Sequence, residues 1–121
     1  MLSPRLLAAT VAALLLTACG GEDPVRVRDR VVEVELTDYR IEPQVIRSDA
    51  GRTIFRIRNT GRLPHNFHIR GETQTRLKVS TLLPGKSFIR TGIRMRRGDW
   101  VMFCSIGNHE ELGMHGTLIV R

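Results

Sequence analysis

One thiol, one imidazole and one thioether recur at intervals of five residues in the stretch CSIGNHEELGMHG: Cys104, His109 and Met114. The glycines between them, Gly107 and Gly113, mark a short loop that closes on something. A thiolate, an imidazole and a weak thioether make a soft, mixed donor set that suits copper in both oxidation states, whereas structural zinc calls for four Cys or His ligands. One strong donor is missing from the loop. A candidate stands about forty residues upstream in Leu63-Pro64-His65-Asn66-Phe67, where His65 opens an apolar, strand-like run after the turn signal Asn59-Thr60-Gly61.

Each candidate has a plainer alternative. Cys104 alone would be an inert buried thiol. His109 sits beside Glu110 and Glu111 in a glycine-containing loop, a poor setting for a core histidine. His65 has a rival in His68, which on an extended strand points to the opposite face and reads as a surface or outer-shell histidine. Met114 competes with His115 for a weak axial place, and with Met95 and Met102 for the role of core methionine. Its neighbours Gly113 and Gly116 suit a tight return of the chain better than a packed strand.

The elements that must hold these residues are strands. Val32, Val34 and Leu36 alternate with Glu33 and Glu35, and Phe55 and Ile57 alternate with Arg56 and Arg58, the period-two signature of half-buried strands. Further short strands are expected over residues 44–47, 65–71, 75–79, 87–93, 100–104 and 117–121, with turn-rich passages at 38–43 and at Leu83-Pro84-Gly85-Lys86. No window carries a sustained helical period. Seven or eight short strands at this spacing predict an all-β fold, an antiparallel Greek-key β-sandwich. On the strand that ends at Cys104, Trp100 and Met102 share the face of the thiol and should fill the core beneath it, while Phe103 points the other way.

At these residues the sequence resembles the cupredoxins, the type 1 (blue) copper proteins that include plastocyanin and azurin, over most of the chain after its leader. The resemblance implies His65 as the first imidazole ligand, Cys104 as the thiolate, His109 as the second imidazole and Met114 as the axial ligand of one type 1 copper ion. It implies Asn66 as the residue that ties the two ligand loops together. It also implies an apolar electron port where His109 reaches the surface among Leu63, Pro64, Ile106 and Leu112. Between Cys104 and His109, where many relatives carry a proline, this chain has Ile106-Gly107-Asn108.

Residues 1–18 read as a secretory signal peptide: one positive charge at Arg5, an apolar run from Leu6 to Leu16, and small residues before Cys19. The run is too short to span a membrane as a helix. Leu16-Thr17-Ala18-Cys19 looks like a bacterial lipoprotein box, with Cys19 as the lipidated residue. Residues 19–30 then serve as a polar tether and 31–121 as the copper-binding domain. A disulfide between Cys19 and Cys104 is the alternative for an exported chain with two cysteines. It ranks below lipidation because each cysteine already has a place. The formal net charge of +7 favours anionic partners or membrane headgroups. Nucleic acid is not expected as a partner, because an exported chain rarely meets it and the arginines alternate along strands instead of clustering.

These residues point to an exported, membrane-anchored, monomeric electron carrier on the periplasmic or cell-surface face of a bacterial membrane, serving redox partner proteins with acidic docking surfaces. It is not expected to be an enzyme. The chain has no His-x-His pair of the multicopper oxidase kind, no second loop cysteine for a binuclear centre, and no hydrolytic Ser, His and Asp set. Two alternatives use the same sequence: a copper-trafficking or copper-resistance protein with the same ligands, and a metal-free sandwich acting as an interaction module.

Overall fold

The computed structural model of the chain describes residues 21–121. The expected signal peptide and the expected lipidation site Cys19 lie outside the described residues. Ten strands and no helix are present among the described residues: β1 Val25–Arg26, β2 Val31–Thr37, β3 Arg40–Glu42, β4 Val45–Ser48, β5 Gly51–Asn59, β6 His65–Arg70, β7 Thr75–Leu82, β8 Ser87–Met95, β9 Gly98–Phe103 and β10 His115–Val120. They form a six-stranded sheet in the order β1-β4-β10-β9-β6-β7 and a four-stranded sheet in the order β3-β2-β5-β8.

The alternation read from the sequence is the alternation observed. Val32, Val34 and Leu36 of β2 and Phe55 and Ile57 of β5 face the core, as do Phe67 and Ile69 of β6 and Trp100 and Met102 of β9. Charged partners on the same strands face out, and Arg56 Nη1 donates to Glu33 Oε1 across the paired β2 and β5 at 2.9 Å. Period two places a side chain in or out but does not set the direction of the neighbouring strand. Three of the pairings are in fact parallel, β1 with β4, β4 with β10 and β2 with β5, so the sandwich is mixed where antiparallel strands alone were expected.

The two strands beyond the expected seven or eight are the shortest. β3 lies inside the passage read as turn-rich, where Thr37 pairs with Arg40 and leaves Asp38-Tyr39 as a two-residue turn. β1 lies inside the segment read as tether: Val25 pairs with Ile46, Val27 N donates to Arg47 O, and Val27 packs against the core. The strand-forming chain thus starts six residues before the expected boundary at 31.

Candidate metal centre

The centre is built at one end of the sandwich from three elements of the larger sheet. Cys104 follows the last residue of β9, His65 is the first residue of β6, and Met114 immediately precedes β10. The loop between β9 and β10 is closed by its own backbone. His109 N donates to Ile106 O at 3.0 Å, Leu112 N to Asn108 O at 3.1 Å and Gly113 N to Glu110 O at 3.1 Å. Two further bonds stitch the loop's ends together: Cys104 N donates to Met114 O at 3.1 Å and Met114 N to His109 O at 3.0 Å. Gly113 is required here, since its φ is +129° and a Cβ would meet the carbonyl oxygen of Tyr39 at 2.7 Å.

His65, Cys104 and His109 each offer one donor atom, and those atoms lie within 4.8 Å of one another. Cys104 Sγ is 3.7 Å from His109 Nδ1, and the two imidazole rings meet edge to face at 5.2 Å. His65 and Cys104 are fully buried, Met114 is fully buried at the end of the same loop, and His109 is half-buried. Cys104 is a free thiol among the described residues.

The donor set fits copper on its chemistry and on one buried atom. His65 Nδ1 is buried without a hydrogen-bond partner, a condition that ordinarily costs free energy and that a metal ion would relieve. The other ring nitrogen is already engaged: His65 Nε2 lies 3.0 Å from Asp38 Oδ1. A carboxylate can only accept, so Nε2 is the nitrogen that donates, and in the neutral ring the lone pair is then on Nδ1. Asp38 also accepts from Arg62 N at 3.0 and 3.1 Å and from Leu63 N at 3.1 Å. The Arg62 amide first, then His65, holds the Asp38 carboxyl below the usual carboxylate value.

The other expected residues are placed as follows. Asn66 bridges the two ligand loops, its Oδ1 accepting from Ser105 N at 2.8 Å and its Nδ2 donating to Ser105 Oγ at 2.9 Å. His68 is on the opposite face of β6 from His65 and half-buried against Phe103, with burial, then the charge of Lys78, holding its pKa down. His115 is exposed, while Met95 and Met102 are core residues. Of the four residues expected to surround His109, itself half-buried, Leu63 and Ile106 are half-buried and Pro64 and Leu112 are exposed.

Four residues at the centre were not singled out from the sequence: Asp38, Tyr39, Arg70 and Glu110. Tyr39 packs edge-on against His109 at 5.3 Å. Arg70 holds both carboxylate oxygens of Glu110, at 2.5 and 3.2 Å, and lies 4.1 Å from the centre of the Phe103 ring. This clamp fastens the residue after His109 to β6 in a loop that carries Ile106-Gly107-Asn108 in place of a proline. Arg70→Met keeps most of the stem over Phe103 and removes the fork. It is expected to lower stability by about 1 kcal/mol, the upper end for a partly exposed pair, and to speed copper loss from the loaded protein. Urea denaturation and the rate of transfer to a chelator measure the two effects.

Comparison with known proteins places this arrangement in a class. A family model described as a cupredoxin-like domain matches residues 6–120, and the chain belongs to that family. Auracyanin from the photosynthetic bacterium Roseiflexus castenholzii is similar in fold, with a TM-score of 0.69 at 19% identity over 76% of this chain and 97% of that one. Auracyanin A of Chloroflexus aurantiacus, a "blue" copper protein, gives 0.66 at 15% identity over 79% and 99%. The copper-containing nitrite reductase of Thermus scotoductus SA-01 gives 0.57 at 19% identity over 74% of this chain but 22% of its own. A sequence search of curated proteins finds no match. The cofactor that goes with this family and this donor cluster is one copper ion.

Proposed function

We propose that this protein is a type 1 copper electron carrier in which His65 Nδ1, Cys104 Sγ and His109 Nδ1 would hold the ion, with the buried thioether of Met114 as a further, weaker donor. The observation that carries the reading is the convergence of one thiol and two imidazoles within 4.8 Å, two of them at strand ends and the third in the loop between β9 and β10. Copper bound there supplies a one-electron couple, Cu(I)/Cu(II), and one thiolate with two imidazoles and a long thioether suits both states. The protein's part is to keep the donors from moving. Asn66 and the Cys104–Met114 backbone bond lock the loops, and Arg70 holds Glu110.

His65 and Cys104 are closed to solvent, and of the three clustered residues His109 alone is partly exposed. Such a site favours passing electrons through the His109 edge over binding a substrate at the ion, which supports a carrier rather than an enzyme. Leu63, Pro64, Ile106 and Leu112 around that edge form the docking patch, with Leu112 53% exposed. The basic chain, with Arg62 exposed next to Leu63, suits redox partners that present acidic surfaces. The signal-like residues 1–18 and the lipoprotein-like Cys19 support export to the periplasmic or cell-surface face of a bacterial membrane, with a lipid anchor.

Adding Cu(II) to the purified protein tests this directly. An intense thiolate-to-copper band in the visible spectrum, with reversible one-electron reduction, is expected. Leu112→Asp should leave the band in place and slow electron exchange with partner proteins about tenfold through loss of apolar contact and added charge. A colourless protein would leave the metal-free interaction module as the reading. Release of Cu(I) to an acceptor faster than electrons exchange would make the protein a copper courier.

A further inference from the structure

The β2–β3 turn touches both imidazoles of the cluster through adjacent residues, although no motif in the sequence marks it. Tyr39 has a positive φ of 64°, a left-handed conformation that a bulky aromatic residue rarely adopts. That conformation coincides with two close contacts, the Tyr39 ring edge-on to His109 and its carbonyl against Gly113. Asp38, one residue earlier, reaches the other imidazole. The two-residue turn and these contacts together hold the conformation in place.

Asp38 makes more bonds than closing a turn requires. The amides of Arg62 and Leu63 are sufficient to fasten the loop before β6 to the β2–β3 turn. The further contact, 3.0 Å, reaches past that loop to Nε2 of a fully buried histidine at the start of β6. Room for it is kept by Gly61, where a Cβ would run into Asp38 Oδ1 and come within 3.1 Å of His65 Nε2. The two backbone amides favour the ionised carboxylate, so a full negative charge is held against the ring. On the far side of that ring, Nδ1 is buried and unpartnered.

We propose that Asp38 is a positioning residue of the copper centre: it fixes His65 in the Nε2–H tautomer with Nδ1 turned to the metal, and its charge favours Cu(II) over Cu(I). This deepens the electron-carrier reading and rests on it for the metal. A carboxylate behind a ligating imidazole raises the basicity of the ligand and fixes its ring. The more highly charged ion gains more from both effects. The carboxylate therefore lowers the reduction potential, and neutralising it raises the potential.

The experiment has two arms on the full-length protein. In the metal-free arm, nitrogen-15 NMR of the imidazoles should show His65 as the Nε2–H tautomer in the parent, and a mixture of tautomers in Asp38→Ala. In the loaded arm, Asp38→Asn keeps an oxygen for the Arg62 and Leu63 amides while removing the charge. Loss of an outer-shell partner costs a metal site roughly 10–100-fold in affinity. A tenfold fall in Cu(II) affinity relative to Cu(I) corresponds to a rise of about 59 mV for a one-electron couple. An Nδ1–H tautomer in the metal-free parent, or an unchanged potential in Asp38→Asn, overturns the proposal while leaving the ligands in place. A parent protein without a thiolate-to-copper band instead overturns the ligand assignment, and the NMR arm still decides whether Asp38 orients His65.

Discussion

Cys104→Ser is expected to give a colourless protein that keeps its fold. The thiolate is the donor that gives type 1 copper its colour, and a serine hydroxyl is a hard donor that stays protonated near neutral pH. Cu(II) affinity should therefore fall by more than the roughly 10–100-fold that loss of an outer-shell partner costs. The structural cost is smaller. Cys104 is fully buried, so the hydroxyl must be desolvated, at about 1–3 kcal/mol if it finds no partner. His109 Nδ1, 3.7 Å from the sulfur, is close enough to offset part of that with a modest shift. Visible absorption and equilibrium dialysis read the site, and far-ultraviolet circular dichroism reads the fold. An intense band surviving in Cys104→Ser would remove the thiolate from the ligand set.

What could be read in advance follows from how far apart the interacting residues lie in the chain. Alternation within one strand is local, so the inward set Trp100, Met102 and Cys104 was legible, as was the split between buried His65 and half-buried His68 three residues later. The loop that brings Cys104 and His109 together was legible because its residue types and glycines are compressed into thirteen positions. Asp38 was not, because it stands 27 residues before His65 and meets it through a hairpin whose second strand was read as turn. The Arg70 clamp was hidden for the same reason, its partner Glu110 being 40 residues away. Strand direction was hidden differently. A buried-exposed alternation is the same whether the neighbour runs up or down, and the parallel β4–β10 and β2–β5 pairs leave no local trace. Val25 and Val27 did alternate, but two residues of pairing are too short a signal to separate a strand from a polar tether.

Phe67→Ala should cost more stability than Cys104→Ser, because it empties the core two residues along β6 from His65. Phe67 is fully buried on β6, two residues beyond His65, and pairs with Val79 of β7 just after the register shift that follows His65. Truncating a buried phenylalanine typically costs about 3–5 kcal/mol, the lost transfer energy plus a cavity that packed sheets cannot collapse around. A domain of this size holds on the order of 5–15 kcal/mol in total, and each kcal/mol moves its melting temperature by about 4–8 °C. The metal-free variant is therefore expected to melt far below the parent. Copper should recover much of the loss, because an ion bound only by the folded state adds about 4.1 kcal/mol at a free concentration roughly a thousandfold above its Kd. Urea titrations of parent and variant, with and without copper, separate the two contributions. A loss below about 1 kcal/mol in the metal-free pair would mean that Phe67 is not packed in the core. An equal loss with no recovery on adding copper would mean that the cavity had spread to His65 and spoiled the site, tying the core and the ligand set into one unit.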